Sequence, residues 1–344
     1  MKRTRGRIGS LALAFSVSGV FFLGRGEPGA AESGLTQSYY ASSITSESVA
    51  ALWVAKDRDL FRKYGLESRF ILMPRSAVTV AALLAREIDV AIIGPGHLLN
   101  AASGAADVVG IANLVQRLNY RFVGRPEVRK PEDLHGKRVA ISGPGSVSHV
   151  VALLSLRKLG IDPNRARISF ITIPGTEINR RAALETRQVD ASPLNGSVGD
   201  MYAAKGYTML LNLKGSGLIL SQTALATTRR TIATRRPVVE AYLKGLIEAI
   251  AFVLDPANKP AVLKIIAANL RLDSAAAAEE AYAAVVESYD RVPYPNVDGI
   301  KILHEVLASL NPKLQTVRPE SVLDASLVAD LERSGFVGSV SRGR

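Results

Sequence analysis

The turn Ser142–His149 (SGPGSVSH) combines residue types that can bind an anion or a carboxylate. It follows a predicted apolar strand, Lys137–Ile141, and precedes a predicted helix, Val150–Leu159. Backbone N–H groups at a helix N-terminus, together with neighbouring hydroxyls, favour negatively charged ligands. Four residues of the turn are therefore candidate ligand contacts: Ser142, Gly145, Ser146 and Ser148. Simple capping of the helix is the alternative explanation.

The same turn lacks the signatures of three other kinds of site. No Gly-Lys-Ser/Thr follows it, and it lacks the third glycine of the dinucleotide-binding pattern. It also lacks the G-x-S-x-G order of a hydrolase elbow. Ser146 and His149 lie three residues apart at the predicted start of a helix, and this spacing does not require a catalytic role. The four histidines show no metal-ligand spacing. We expect no catalytic residue, no metal site and no cofactor.

Two turns near the start of the chain have similar chemistry. Ser43 and Thr45 lie where the predicted strand Gln37–Thr45 leads into a predicted helix, Glu47–Lys56, with Ser46 as the expected N-cap. Their hydroxyls can hold an anion or can serve only in capping, and both explanations remain open.

The second of these turns is Gly94-Pro95-Gly96-His97, which follows the predicted strand Val90–Ile93. Its glycines would let backbone amides approach a ligand closely, although a tight turn alone also explains them. His97 is a candidate contact, but a lone histidine more often caps or packs.

The elements that would position these turns are repeated along the chain. Leu83–Gly96 (LLAREIDVAIIGPG) is echoed by Leu184–Gly196 (LETRQVDASPLNG), with Asp89 aligned on Asp190. Upstream, FRKYGL is echoed by LRKLGI. Each copy predicts the same order of elements: a helix that ends at a glycine, a strand, a loop, a short helix, a turn with an acidic residue, and an apolar strand. We therefore expect two α/β lobes that face each other, with a ligand cleft beyond the carboxyl ends of the strands.

Composition limits the class of protein. The 344 residues are 47% hydrophobic and contain no cysteine, which excludes disulfides, thiolate metal sites and cysteine nucleophiles. Residues 1–31 have a basic start and an apolar run, Ile8–Gly24, and are predicted to be a signal peptide, with an uncleaved anchor as the alternative. An exported protein without disulfides suits a bacterial periplasm. The arginines are scattered, so we expect no nucleic-acid partner.

The second half of the chain becomes helical after Thr231, with three- and four-residue apolar spacing. This tail is expected to complete the first lobe. We therefore assign residues 35–124 and 226–340 to lobe 1 and residues 125–225 to lobe 2, with the cleft between them.

Six segments together resemble a known family. They are Ala51–Glu67, Ala81–Gly96, Pro131–Ser146 (PEDLHGKRVAISGPGS), Leu156–Ile161, Ala182–Ala191 and Pro319–Val337 (PESVLDASLVADLERSGFV). In order and spacing the chain resembles the periplasmic solute-binding proteins of ABC importers, in the nitrate/sulfonate/taurine and thiamine-precursor group. The resemblance implies the type 2 periplasmic-binding-protein fold: two α/β lobes, each a mixed sheet flanked by helices, joined by two crossing strands, with a helical C-terminal extension.

The resemblance also implies a function and a contact set. A monomer would close on a small ligand and dock on an inner-membrane ABC permease. Ligand contacts would come from strand-end loops: Ser43, Thr45, Ser76, Gly94, Pro95, Gly96, His97, Ser142, Gly145, Ser146, Ser148, Thr176 and Asn195. Asn195-Gly196 departs from the family, which often has an acidic residue followed by proline near this place.

The ligand class stays open at this stage. Thr45, Ser76 and Arg75 suit an oxyanion such as a sulfonate, nitrate or carboxylate, whereas Tyr39, Tyr40 and Tyr120 would suit an aromatic heterocycle. Two other functions are alternatives: the ligand-binding subunit of a membrane sensor, and a pyrimidine-precursor-synthesising enzyme of the same fold. That enzyme family is marked by a cysteine-rich motif, which this chain lacks.

Overall fold

Two five-stranded sheets form the framework of the chain. The computed structural model describes residues 34–73, 75–173, 177–214, 216, 219–272 and 274–342. The predicted signal peptide, residues 1–31, and the predicted contact Thr176 lie outside the described residues. The strands are β1 Thr36–Ser42, β2 Leu66–Leu72, β3 Val90–Ile93, β4 Val109–Arg117, β5 Tyr120–Gly124, β6 Arg138–Ile141, β7 Ser169–Thr172, β8 Ala191–Asn195, β9 Thr208–Asn212 and β10 Ile219–Thr227.

Helices flank both sheets, and the described chain from Arg229 onward is predominantly helical. The α-helices are α1 Ala50–Asp57, α2 Leu60–Lys63, α3 Ser76–Leu84, α4 Gly96–Ser103, α5 Val147–Lys158, α6 Glu177–Glu185, α7 Gly196–Ala204, α8 Arg229–Leu254, α9 Lys259–Leu270, α10 Ala275–Ser288, α11 Val297–Ala308, α12 Ser326–Arg333 and α13 Phe336–Arg342. None of the described helices is long and apolar enough to cross a membrane.

Both sheets have the same topology. The first has the order β2-β1-β3-β10-β4 and the second β7-β6-β8-β5-β9. In each, three parallel strands are followed by an antiparallel fourth strand, β10 or β5. The chain crosses between the sheets after β4 and again after β9. The predicted fold class, with two mixed sheets and a helical C-terminal region, is confirmed.

The two crossing strands correct the predicted lobe ranges. β5, which we assigned to lobe 1, pairs with β8 and β9 in the second sheet. Most of β10, which we assigned to lobe 2, pairs with β3 and β4 in the first sheet. The prediction was wrong at these strands because an apolar strand next to a crossing has the same hydrophobic pattern whichever sheet it joins.

The repeated aspartates make the same contacts in both sheets. The backbone N–H of Asp89 donates to the carbonyl of Tyr39 (2.8 Å), and Asp190 does the same to Arg138 (2.8 Å). In return, the carboxylates accept the backbone N–H of Tyr39 (3.3 Å) and of Arg138 (3.0 Å). Each carboxylate thereby fixes the inner strand, β3 or β8, against its parallel neighbour.

An arginine lies against each of these carboxylates. Arg235 is 2.8 Å from Asp89 Oδ1, and Arg138 Nε is 3.0 Å from Asp190 Oδ2. The preceding turns also match, since Arg86 and Arg187 both adopt a left-handed backbone, with φ of 62° and 63°. The internal repeat read from the sequence is therefore present as a repeated structure.

The lobes pack on each other along one side. One apolar cluster includes Leu98 and Leu99 from α4, Val150 and Val151 from α5, and Leu303 from α11. This cluster joins the two lobes through apolar side chains.

Two glycine turns meet beside this cluster. A Cβ built on Gly96 would lie 2.8 Å from the carbonyl oxygen of Gly145 and 3.1 Å from Leu307 Cδ1. Gly145 itself has a φ of +75°, which favours glycine. The glycines at these two positions therefore allow the backbones of the two lobes to touch.

We expect the substitution Asp190→Asn to lower the free energy of unfolding at pH 7 by about 1–3 kcal/mol, because it weakens charge-assisted hydrogen bonds. Burial raises the pKa of Asp190, but hydrogen bonds and charge from Arg138, with the charge of Arg125, outweigh it and hold the pKa below its usual value. The stabilisation is therefore present above about pH 4 and is lost as the pH falls through the folded-state pKa.

Urea unfolding at pH 7 and at pH 3 tests this expectation. Asp57→Asn is the control, because Asp57 is exposed at the end of α1. A deficit for Asp190→Asn that stays constant between the two pH values would contradict the assigned role.

We expect Gly96→Ala to destabilise the protein by about 1–3 kcal/mol, because the added methyl meets backbone of the other lobe. Gly104→Ala is the matched control, since its Cβ would be at an ordinary 3.5 Å from the nearest atom. Urea unfolding of both variants measures the difference, and equal stabilities would show that the lobes do not need this close approach.

Candidate functional site

A cleft of about 230 Å³ lies where the carboxyl ends of the parallel strands of both sheets face each other. Such strand ends are the usual ligand-binding position in open α/β sheets. Ser43 follows β1, Gly94 follows β3 and Ser142 follows β6, while Asn195 ends β8. The cleft is lined by Ser43, Ile44, Thr45, Ser46, Glu47, Ser48, Ser76, Gly94, His97, Val115, Arg117, Asn119, Tyr120, Ser142, Ser146, Val147, Ser148, Glu177, Arg180, Asn195, Gln222, Thr223, Ala284 and Ser288.

The repeat places equivalent positions on the two walls. Ser43 is the fourth residue after Tyr39, and Ser142 is the fourth after Arg138. By the same alignment Gly94 matches Asn195, five residues after the repeated aspartates. Ser76 begins α3 and Glu177 begins α6, and both helices have nine residues. The two walls therefore share a serine at the first matched position, whereas Gly94 and Ser76 of one wall are matched by the larger Asn195 and the acidic Glu177 of the other.

The wall from the first lobe consists mainly of hydroxyl groups. Ser43 Oγ and Ser76 Oγ are hydrogen-bonded at 2.6 Å. Ser46 precedes a 3-10 helix, Glu47–Val49, but its hydroxyl bonds Ser48 Oγ (2.7 Å) and makes no cap hydrogen bond to the helix backbone. Ser46 is therefore the N-cap residue, as predicted, but its side chain does not cap the helix, because a neighbouring hydroxyl competes for it.

The serine turn of the second lobe combines capping with lining of the cleft. Ser146 Oγ accepts the backbone N–H of His149 and caps α5 (3.3 Å). Ser148 Oγ accepts the backbone N–H of Ser142 (2.8 Å) and contacts Ser146 Oγ (3.0 Å). The His149 ring accepts the N–H of Gly145 (3.1 Å), so its contact is structural. Burial lowers the pKa of His149.

Arg180 is the cationic group of this wall. The residue is 5% exposed, and its Nη1 donates to Ser142 Oγ (2.6 Å). Its Nη2 lies 3.6 Å from Glu177 Oε2. Its buried Nε has no hydrogen-bond partner among the described residues. The remaining donors of this guanidinium are directed at Ser142 and Glu177, so Arg180 places a buried positive charge behind this wall.

Two carboxylates from opposite lobes share one asparagine. Asn195 donates its backbone N–H to Glu177 Oε2 (2.9 Å) and its Nδ2 to Glu47 Oε1 (2.6 Å). Since Glu47 follows β1 and Asn195 ends β8, the second bond crosses the cleft. Asn195, near which the resemblance predicts an acidic residue followed by proline, thus makes a contact between the lobes.

The electrostatics of the carboxylates follow from this arrangement. Burial, together with the negative charge of Glu177, raises the pKa of Glu47 to about 7. Burial also raises the pKa of Glu177, against the lowering effects of Arg180, the Asn195 N–H and Arg181. Burial lowers the pKa of His97, which favours its neutral form. The described residues contain no group of three or more acidic or histidine side chains that could hold a metal ion.

The structure brings most of the predicted contact residues to the cleft. The residues that line it are Ser43, Thr45, Ser76, Gly94, His97, Ser142, Ser146, Ser148 and Asn195. Pro95, Gly96 and Gly145 are not among the lining residues. For Gly96 and Gly145 the reason is the contact between the lobes, and Pro95 is buried at the start of α4. The ligand-contact roles themselves stay predictions.

Sequence reasoning missed several lining residues. They include Glu47, Arg117, Asn119, Glu177, Arg180, Gln222 and Thr223. A signal existed for Glu177 and Arg180, because they occupy the positions of Ser76 and Thr79 in the repeat.

Some of the residues predicted to bind an oxyanion or an aromatic ring line the cleft, and others lie elsewhere in the protein. Tyr120 lines the cleft, whereas Tyr40 packs in the core with its ring centre 5.0 Å from that of Phe61. Tyr39 is 39% exposed, and neither Tyr39 nor Arg75 is a lining residue.

We expect Glu47→Gln to stabilise the protein above pH 7 by about 1–3 kcal/mol, because it removes a carboxylate whose ionised form is penalised by burial. The raised pKa means that the wild type loses stability as the pH rises from about 4.3 to about 7, while the variant does not. Below pH 4 both side chains are neutral and the difference should vanish.

Thermal or urea unfolding from pH 4 to pH 8.5 measures this difference. Glu87→Gln, at an exposed turn of the first lobe, is the control. Parallel stability curves for the wild type and Glu47→Gln would contradict the raised pKa.

Comparisons with known proteins identify a family and similar folds. The family described as NMT1/THI5 like matches residues 46–259, more than half of the chain. The alkanesulfonate-binding protein SsuA from Xanthomonas axonopodis pv. citri, solved with MOPS bound, is similar with a TM-score of 0.66 and 20% identity, over 84% of this chain and 98% of that one. The periplasmic nitrate-binding protein NrtA from Synechocystis PCC 6803 is similar with a TM-score of 0.65 and 12% identity, over 87% and 89%.

A curated relative is a Brucella abortus protein named as a binding protein, 27% identical over 169 residues, which are 48% of this chain and 49% of that protein. The chain thus spans about half the length of the curated relatives it matches. The two solved structures have the same fold as this chain, although their sequence identities are only 20% and 12%. Together with the family match, they confirm the resemblance read from the sequence: the chain belongs to the NMT1/THI5-like family.

Proposed function

We propose that the protein binds a small solute in the cleft between its lobes and delivers it to the permease of an ABC importer. The observation that carries this proposal is a cleft lined from both lobes at the carboxyl ends of two matched sheets. Closing two such walls on a solute buries it without any chemical step. The similarity to sulfonate- and nitrate-binding proteins supports the same function.

The solute is small and carries an anionic group, such as a sulfonate, nitrate or carboxylate. The cleft of about 230 Å³ is below the usual range of drug-sized pockets. Arg180 contributes a buried positive charge to the lining, and its Nη1 donates to the Ser142 hydroxyl, which also accepts a hydrogen bond from Ser148. Among the described lining residues, Tyr120 is the only tyrosine, phenylalanine or tryptophan. A heteroaromatic solute would therefore have a single aromatic ring to stack on.

The protein acts by binding rather than by turnover, and it works as a monomer in the periplasm. The nearest pair for nucleophilic chemistry, Ser146 and His149, is already used, since Ser146 caps α5 and the His149 ring accepts the Gly145 N–H. The hydroxyls of the cleft bond mainly to one another in the described residues, which suits binding of polar groups. Export follows from the predicted signal peptide, residues 1–31.

A thermal-unfolding panel on the purified protein tests the function. It contains alkyl and aryl sulfonates, nitrate, bicarbonate, aromatic carboxylates and pyrimidines. A ligand at a hundred times its Kd should stabilise the folded state by about 2.7 kcal/mol. The variant Thr45→Ala removes a hydroxyl that lines the cleft and should weaken binding by about 1 kcal/mol. Thr316→Ala, exposed and outside the cleft, should have no effect on binding.

A shift with one compound class that Thr45→Ala reduces, with the compound recovered unchanged, supports solute binding. Consumption of the compound would instead establish an enzyme. No shift with any member of the panel would count against an anionic solute. Reconstitution with a permease and ATPase then separates an importer from a sensor, since only an importer accumulates the solute.

A further inference from the structure

Two short segments carry the chain between the lobes, and one carboxylate contacts both of them. The first crossing, Leu118-Asn119, joins β4 to β5, and the second begins after β9, at Leu213 and Lys214. Glu287 lies near the end of α10, in the first lobe. Its Oε2 accepts a hydrogen bond from Asn119 Nδ2 (3.0 Å), and its Oε1 lies 2.9 Å from Lys214 Nζ. Each oxygen of this carboxylate therefore holds one crossing.

The end of α10 is anchored in the first lobe. Val285 and Tyr289, on either side of Glu287 in sequence, are buried in the hydrophobic core of this lobe. The backbone carbonyl of Glu287 also accepts a hydrogen bond from Arg117 Nη1 (2.9 Å), and Arg117 Nη2 lies 2.5 Å from Asp290 Oδ1. The end of β4, where the chain leaves the first sheet, is thereby held against the end of the same helix.

The contacts of Asn119 continue into the second lobe. Its backbone carbonyl accepts the N–H of Gly196, the first residue of α7 (2.8 Å), and its Oδ1 accepts a hydrogen bond from Arg121 Nη1 (3.0 Å). A Cβ built on Gly196 would lie 2.1 Å from Asn119 Oδ1, so the glycine allows α7 to begin directly on the crossing. Gly196 follows Asn195, which lines the cleft. A series of hydrogen bonds therefore connects Glu287 to the start of α7, beside the second wall.

We propose that Glu287 is a positioning residue for solute binding: by holding both crossings at once, its carboxylate stabilises the arrangement in which the two walls of the cleft are bridged. The bridge is the hydrogen bond of 2.6 Å from Asn195 Nδ2 to Glu47 Oε1. Lobes joined by two short segments turn about those segments, because a few residues there absorb the change in backbone angles. Without this carboxylate, arrangements with separated walls become more populated.

The inference rests on the proposed function for its effect on affinity. A solute that contacts both walls binds the bridged arrangement, so its apparent Kd rises as the population of that arrangement falls. The side chain of Glu287 is 36% exposed and that of Lys214 is 53% exposed. Loss of an ion pair at such positions changes an equilibrium about two- to fivefold, and salt screens the pair. The position of the walls therefore depends on ionic strength.

Distances between spin labels on the two lobes test the proposal on the solute-free protein. The chain has no cysteine, so labels can be attached through Val78→Cys and Ile178→Cys. These side chains are 38% and 48% exposed, on α3 and α6, the matched helices of the two walls. Double electron–electron resonance gives the populations of short and long distances. We expect Glu287→Gln to lower the ratio of short to long distances about two- to fivefold.

Glu279→Gln is the matched control. Glu279 lies on the same helix and pairs with Lys259 at 2.8 Å with comparable exposure, 49% and 42%, but this pair lies within the first lobe. Its loss should leave the distances unchanged. Lys214→Gln should reproduce the shift of Glu287→Gln, and the double variant should add little, because both changes remove the same ion pair. Thermal unfolding of each variant verifies that it is folded.

Salt provides a readout that a role in stability alone would not change. Raising the ionic strength from about 0.01 M to about 1 M shortens the screening length from about 30 Å to about 3 Å. The wild type and Glu279→Gln should shift toward long distances over this range. Glu287→Gln should lose most of this response, since the screened ion pair is already absent.

The outcomes separate this inference from the proposed function. Unchanged distances in both Glu287→Gln and Lys214→Gln would overturn the positioning role, as would equal salt responses in the wild type and Glu287→Gln. A panel compound that binds the wild type and Glu287→Gln with equal Kd would leave solute binding intact and contradict the positioning role. If the distances shift as expected and no panel compound binds, the control of the lobes by Glu287 is upheld and the proposed anionic solute is wrong.

Discussion

The carboxylate at the start of each inner strand is the interaction on which the rest of the site depends. Asp89 and Asp190 each exchange two hydrogen bonds with the adjacent parallel strand, and so fix where that strand ends. Because the cleft is built from strand ends, this register decides which residues face it. A slip of one residue would turn Gly94 or Asn195 away from the cleft, since side chains alternate along a strand.

The two lobes use the same framework for different electrostatic purposes. In the first lobe the repeated positions hold Ser43 and Ser76, which bond each other and add no charge. In the second lobe Ser142 instead accepts a hydrogen bond from the guanidinium of Arg180. The charged groups of the strand ends are therefore concentrated on one wall, and the first lobe adds hydroxyls and the carboxylate of Glu47.

Much of the fold could be predicted from the sequence because its signals are local. The repeated aspartate turn and the Gly/Ser-rich turn each lie within a few consecutive residues. The role of Glu47 could not be read in this way, because its partner Asn195 comes from the other lobe, 148 residues away. The contact of Gly96 with Gly145 and the sheet that β5 joins likewise depend on how distant segments meet. Local patterns contain no information on such distances.

The backbone contact at Gly96 and Gly145 has a consequence for how this scaffold can diversify. The lobes touch there through main-chain atoms, and apolar side chains of α4, α5 and α11 pack beside this contact. Strand-end residues such as Ser43 and Asn195 lie outside this backbone contact, so they can be exchanged without displacing it. The contact between the lobes and the lining of the cleft can therefore change independently, which allows one architecture to present different groups in the same cleft.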